Sequence, residues 1–150
     1  MAAEKPVVHI ALVNFSAAEA AKINAVLKCA PCYCLPEAFS TSAELIRHRH
    51  SGFYWQDIVI VNIDNLFALF LLGKKIKCIS HVYPNSKIVL QYKLKLPVFL
   101  FNKIFINAQA YAMINSRDTF AKQVDCFRQV ISAECCCSVQ PHYQARVHPG

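Results

Sequence analysis

The strongest constraint on this chain is a regular alternation between short, nearly continuous apolar runs and longer stretches with helical spacing. Val7-Val8-His9-Ile10-Ala11-Leu12-Val13 is the first such run. Its β-branched content and lack of polar alternation fit a parallel strand covered on both faces. Ser16 follows, with Glu19 three residues on, which is a capping-box signature. Ala20, Ile23, Val26 and Leu27 then give the apolar stripe of a first helix, ended near Pro31. Cys32-Tyr33-Cys34-Leu35 reads as a second strand, and Thr41 or Ser42 caps a second helix through Ala43 to His48.

The same beat continues. Ile58 to Val61 is a third strand, Leu66 to His81 a third helix, and Lys87 to Gln91 a fourth strand. Pro97 opens a helix carrying Phe99, Phe101, Ile104 and Phe105, and Tyr111 to Ile114 is a fifth strand. Asp118 or Thr119 caps a last helix with Phe120, Val124, Phe127 and Ile131 at helical spacing. Five strands alternating with five helices predict an α/β fold: a three-layer α/β/α sandwich around a five-stranded parallel sheet. Residues 1–133 are expected to form one domain. Residues 134–150, with Cys135, Cys136 and Cys137, lose the periodicity and read as a tail.

Composition narrows the class. Hydrophobic residues make up 55% of the 150, charged residues 17%, and mean hydropathy is +0.30, which suits a well-filled core and not a disordered chain. The longest apolar run, Leu66 to Leu72, stops at Gly73, far short of the roughly 20 residues of a membrane span. The N-terminus lacks the basic and apolar blocks of a signal peptide, so a cytoplasmic protein without a membrane partner is expected. The net charge of +7 gathers at Arg47 and Arg49 with His48 and His50, at Lys74, Lys75 and Lys77, and at Lys93 and Lys95. Solvated helix faces account for such clusters. No DNA-reading motif accompanies them, so direct nucleic-acid binding is not expected.

Gln56-Asp57-Ile58-Val59-Ile60-Val61-Asn62-Ile63-Asp64-Asn65 resembles the third strand of a response-regulator receiver domain. Tyr83-Pro84-Asn85-Ser86-Lys87-Ile88-Val89-Leu90 and Ala110-Tyr111-Ala112-Met113-Ile114 are similar to that family's fourth and fifth strands. The resemblance, strongest to receivers of LuxR-type regulators, spans about residues 7–133 and implies receiver (flavodoxin-like) topology. It also implies a phosphoryl-accepting Asp at the end of the third strand, where this chain has Asn62. The acidic pair that would hold Mg²⁺ falls near Val13 and Asn14, the switch hydroxyl near Gln91 or Tyr92, and the phosphoryl-binding Lys at Ile114. Asp64 alone keeps a carboxylate nearby. Amides and aliphatic side chains supply neither the nucleophile nor the charge that Mg²⁺ requires.

The resemblance therefore implies a pseudo-receiver that binds no cofactor, is not an enzyme, and lacks the DNA-binding domain of LuxR-type regulators. Its expected function is phosphorylation-independent, non-catalytic regulation in two-component signalling. It would act by contact with a protein partner, another response regulator or a second copy of itself, and so modulate a transcription regulator. The expected interface joins Phe99, Phe101, Lys103 and Phe105 to Lys122 and Arg128, aromatic anchors with a basic rim.

Eight cysteines carry the competing reading, a small metal or redox sensor. Cys29-Ala30-Pro31-Cys32 has C-x-x-C spacing and Cys34 adds a third thiol, yet no second matching pair follows. Core packing explains most of them, because free Cys is among the most buried residue types. On that view Cys78 and Cys126 are protected, while Cys135, Cys136 and Cys137 react quickly.

Overall fold

Five parallel strands set the frame: β1 (Val7–Val13), β2 (Tyr33–Phe39), β3 (Ile58–Ile63), β4 (Lys87–Tyr92) and β5 (Ala112–Asn115). They lie in the order β2-β1-β3-β4-β5. The computed structural model describes residues 7–30, 33–51, 56–64, 66–93 and 111–135. The helix expected from Pro97, with Phe99, Phe101, Lys103 and Phe105, lies outside the described residues, as do Cys32, Cys136, Cys137 and the stretch to 150. The described helices are α1 (Ala17–Leu27), α2 (Ser42–Ser51), α3 (Leu66–Val82) and α4 (Phe120–Cys135).

The strand order and all-parallel pairing give the expected three-layer sandwich with receiver topology. All six residues of β3 are buried, as a central strand covered on both faces requires. Alternation sorts them into two cores. Ile58 and Ile60, with Ile10, Leu12 and Val89, join Ile23, Val26 and Leu27 of α1 and Phe127, Val130 and Ile131 of α4. Val59, Val61 and Ile63 join Leu45 of α2 and Leu72, Ile76 and Ile79 of α3 on the opposite face. Each fully buried aliphatic side chain contributes about 1.5–3 kcal/mol relative to exposure, so this double core dominates the stability.

Local chemistry fixes the helix starts. Glu19 N–H donates to Ser16 Oγ at 3.2 Å and Ser16 N–H to Glu19 Oε1 at 3.0 Å, completing the expected capping box. Thr41 caps α2, accepting from Glu44 N–H at 3.2 Å. Thr119 caps α4, accepting from Lys122 N–H at 3.3 Å.

Several boundaries differ from expectation, and β3 runs on to Ile63 and α2 to Ser51. β2 runs to Phe39, well past the expected Leu35, although Pro36 interrupts it. Among the described residues it pairs with β1 alone, and such an edge strand tolerates a proline because one row of its backbone groups is not needed for the ladder. β5 sits one residue later than expected, at Ala112–Asn115. α4 continues through Glu134 and Cys135, two residues into the stretch read as tail.

Two further expectations are corrected. Cys78 is exposed, because the phase of α3 is set by Leu72, Ile76 and Ile79 and turns Cys78 outward. His48 is not a purely solvated helix end. Its ring lies 5.1 Å from that of Phe39, and its Nε2 is 3.6 Å from Glu37 Oε2. Cys126, as expected, is partly buried, and burial raises its thiol pKa, with Asp118 and Asp125 adding to the rise.

Candidate functional site

In open α/β sheets the carboxyl ends of the strands, where strand order reverses, form the natural crevice. Here the reversal falls between β1 and β3, with Asn14 just after one strand and Asn62 near the end of the other. Register places Asn62 beside Gln91, and Gln91 beside Ile114. These three side chains share the α1/α4 face, since Ile60, Val89 and Ala112, two residues back on each strand, belong to that core. The structure thus brings together Asn14, Asn62, Gln91 and Ile114.

Val13 does not join them. It is buried on the α2/α3 face, one step out of phase with Asn14. Tyr92 likewise packs toward α2 and α3, and burial raises its phenol pKa. Asp64 follows β3 at the surface, beyond the row.

Asn14 and Asn62 lock the crevice. Each side-chain amide donates to the other's backbone carbonyl, both at 3.1 Å. Asn14 holds φ of 66°, the left-handed region that Asn adopts more readily than other non-glycine residues. Its N–H donates to Phe39 O at 3.0 Å, tying the crevice to β2. Asn62 is 3% exposed, and its Nδ2 also reaches Glu19 Oε2 at 3.4 Å.

Glu19 and Lys93 complete the site, and sequence reasoning missed both. Lys93 Nζ lies 2.7 Å from Glu19 Oε2, while Glu19 Oε1 stays in the capping box. The hydrogen bond from Lys93 dominates over desolvation and, with help from Ser16, holds the carboxyl down from 4.5 to about 2. One carboxylate therefore caps α1, accepts from Asn62 and pairs with the ammonium. The missed signal was positional: Glu19 stands in the first turn after β1 and Lys93 directly follows β4, both at carboxyl ends of strands.

The row offers limited chemistry. An amide at Asn62 has no charge and no nucleophilic oxygen of carboxylate type, and Ile114 brings only hydrocarbon. Asn62 Oδ1 and Gln91 Oε1 are buried and accept no hydrogen bond among the described residues. Between α1 and the start of α4, over the end of β4, lies a cavity of about 420 Å³ that includes Gln91, Glu19 and Lys93 in its walls.

Of the other expected residues, Lys122 and Arg128 are exposed on α4. Cys29 is exposed, its thiol donating to Ala25 O at 3.8 Å, and Cys34 is partly buried against the α1/α4 core. Among the described residues no three His, Cys, Asp or Glu side chains stand close enough to hold a metal ion. No helix among them is long and apolar enough to cross a membrane.

No protein-family model matches the chain, and no curated protein matches it in sequence. Solved structures do match. A response regulator from Thermotoga maritima is 13% identical with a TM-score of 0.69, covering 85% of this chain and 99% of that one. A LuxR family DNA-binding response regulator from Silicibacter pomeroyi is 12% identical with a TM-score of 0.63, covering 85% and 91%. A pilus assembly protein from Caulobacter crescentus is 10% identical with a TM-score of 0.62, covering 85% and 95%. At such identities the likeness is one of fold, and in fold this chain is a receiver-type sandwich.

Proposed function

We propose that this chain is a non-catalytic regulatory protein that works by contact with another protein, independently of phosphorylation. The observation that carries this reading is the state of the crevice. Asn62 stands at the carboxyl end of β3, where a phosphoryl acceptor would need a carboxylate. Its amide is instead bonded to Asn14 and Glu19, and Glu19 is held by Lys93. A nucleophilic carboxylate and an acidic pair for Mg²⁺ are both replaced by neutral groups. With the internal ion pair in place, the crevice is fixed in one arrangement without an external phosphate.

On this reading the partner is another response regulator or a second copy of the chain, and the output is modulation of a transcription regulator. The fold alone does not dictate this, because one fold serves many functions. Of the Cys-based alternative, Cys29 follows α1 and Cys34 lies on β2, while Cys32, the third member of the set, lies outside the described residues.

Sedimentation velocity tests the contact. Association is expected, unchanged by acetyl phosphate, and weakened by joint charge reversal at Lys122 and Arg128. A strictly monomeric chain that pairs with no response regulator of its host would refute the proposal, as would association that appears only with a phosphoryl donor.

A further inference from the structure

The two helical layers differ in charge. Along α1 and α4 the signs balance, with Lys22, Lys122 and Arg128 against Glu19, Asp125 and Glu134. Along α2 and α3 they do not. Arg47, Arg49, Lys74, Lys75 and Lys77 stand against a single acid, Glu44, and α3 has none. Glu44 is already engaged, since its Oε2 accepts from Ser40 N–H at 2.8 Å. Glu37 on β2 lies 3.6 Å from His48 Nε2. Asp64 precedes α3, about 15 Å along the axis from Lys74 at the α-helical rise. None of the five cations forms an ion pair among the described residues. A merely solvated surface carries both signs interspersed, as α1 and α4 do.

Packing turns this charge outward on one face. α2 and α3 lie on the same side of the sheet, feeding one core through Leu45 and through Leu72, Ile76 and Ile79, and Tyr83 Oη donates to Leu45 O at 3.0 Å. With about 3.6 residues per turn, Lys74 and Lys77 fall on the side of α3 opposite its core stripe, and both are exposed. Lys75, Arg47 and Arg49 are exposed as well. Packed helices stand about 8–10 Å apart, so the two sets of cations share one patch. Duplex nucleic acid carries a charge about every 1.7 Å of its axis, so several phosphates fit across such a patch. The large exposed hydrophobic residues among the described ones are Val7, Leu35 and Phe120, none of them on α2 or α3. The described part of this face thus offers no anchor of the kind that holds a protein partner or enters a lipid surface.

We infer that the α2/α3 face binds the phosphate backbone of a nucleic-acid duplex without reading its sequence. The expectation against nucleic acid rested on the missing base-reading motif, and backbone binding needs only cations. A pI of about 9.1 agrees with such a partner. The face is distinct from Lys122 and Arg128 on α4, so its failure would leave the proposed protein contact standing.

Fluorescence anisotropy of a labelled, random-sequence DNA duplex of about 20 base pairs tests the inference, with the full chain titrated at several salt concentrations. Binding is expected, with log K falling against log salt at a slope of about −4, as some five phosphate contacts imply. Affinity then drops by about a few hundredfold between about 50 and 200 mM salt. Lys74→Ala combined with Lys77→Ala, at exposed positions that leave the core intact, is expected to lower the slope by about 2. Lys122→Ala combined with Arg128→Ala is expected to leave it unchanged. The same titration on an RNA duplex tells the two sources of that backbone apart. Absence of binding to either duplex at about 50 mM salt would overturn the assignment, as would a slope indifferent to Lys74 and Lys77. Tighter binding to poly-L-glutamate or to phosphatidylserine vesicles would overturn it too, in favour of an acidic protein or a lipid surface.

Discussion

Replacing Lys93 by Met removes the ammonium from Glu19 while keeping most of the side chain's apolar length. In the parent, Lys93 is the leading cause of the drop in the Glu19 pKa from 4.5 to about 2. Delivered in full, such a depression corresponds to about 3 kcal/mol of stability. Lys93 is 49% exposed, so water screens the pair, and the realistic loss is about 1 kcal/mol. The sign follows from the direction of the shift. A carboxyl whose pKa falls on folding stabilises the native state above its unfolded value, and that contribution fades as pH drops toward the folded value. The window here is between 4.5 and about 2. Urea denaturation of parent and Lys93→Met across this range is the assay. A gap of about 1 kcal/mol at neutral pH, closing toward pH 2 and shrinking in high salt, is expected. Equal stability at neutral pH, or a gap that persists undiminished to pH 2, would refute the argument. Ser16 and the capping box remain in both proteins, so the variant isolates the ion pair.

Other consequences follow from packing and polar contacts. Ile60→Ala, at a fully buried position on the central strand, is expected to cost about 2–5 kcal/mol in denaturant unfolding. Tyr83→Phe removes the buried hydrogen bond from the hydroxyl to Leu45 O at 3.0 Å and is expected to cost about 1 kcal/mol, measured in the same way. Brief alkylation of the folded protein, mapped by peptide mass, is expected to modify Cys29 and Cys78 well before Cys126, whose thiol is partly buried with a raised pKa.

How much of this was legible in the sequence depended on burial. β1, β3 and β4 announced themselves because strands covered on both faces need unbroken apolar runs. The second half of β2 is hidden in the sequence because this edge strand exposes Leu35 through Ala38 and carries Pro36, so its pattern looks like a loop. Cys78 looks buried in the sequence because α3 surrounds it with apolar neighbours, and only the tertiary phase decides which residues face in. The row of Asn62, Gln91 and Ile114 is what the receiver resemblance implies, and the register agrees with it, since equal distance along parallel strands becomes adjacency in the sheet. The resemblance puts Val13 with Asn14 at the place of the acidic pair, yet alternation turns Val13 to the other core. The pairing of Glu19 with Lys93 was not readable, because each had a sufficient local explanation, a helix cap and a solvated charge. Only the fold brings α1 over the end of β4.

The central claim is that the crevice around Asn62 accepts no phosphoryl group. Intact mass after incubation with acetyl phosphate and Mg²⁺ tests it most directly, on the parent, on Asn62→Asp and on a rebuilt variant with Asn14→Asp, Asn62→Asp and Ile114→Lys. The parent is expected to keep its mass, and Asn62→Asp alone is expected to react poorly because the acidic pair and the Lys remain absent. The rebuilt variant is the one expected to gain a phosphate-sized increment. A phosphate-sized adduct on the parent, at Asp64 or at any other carboxylate of the crevice, would contradict the account.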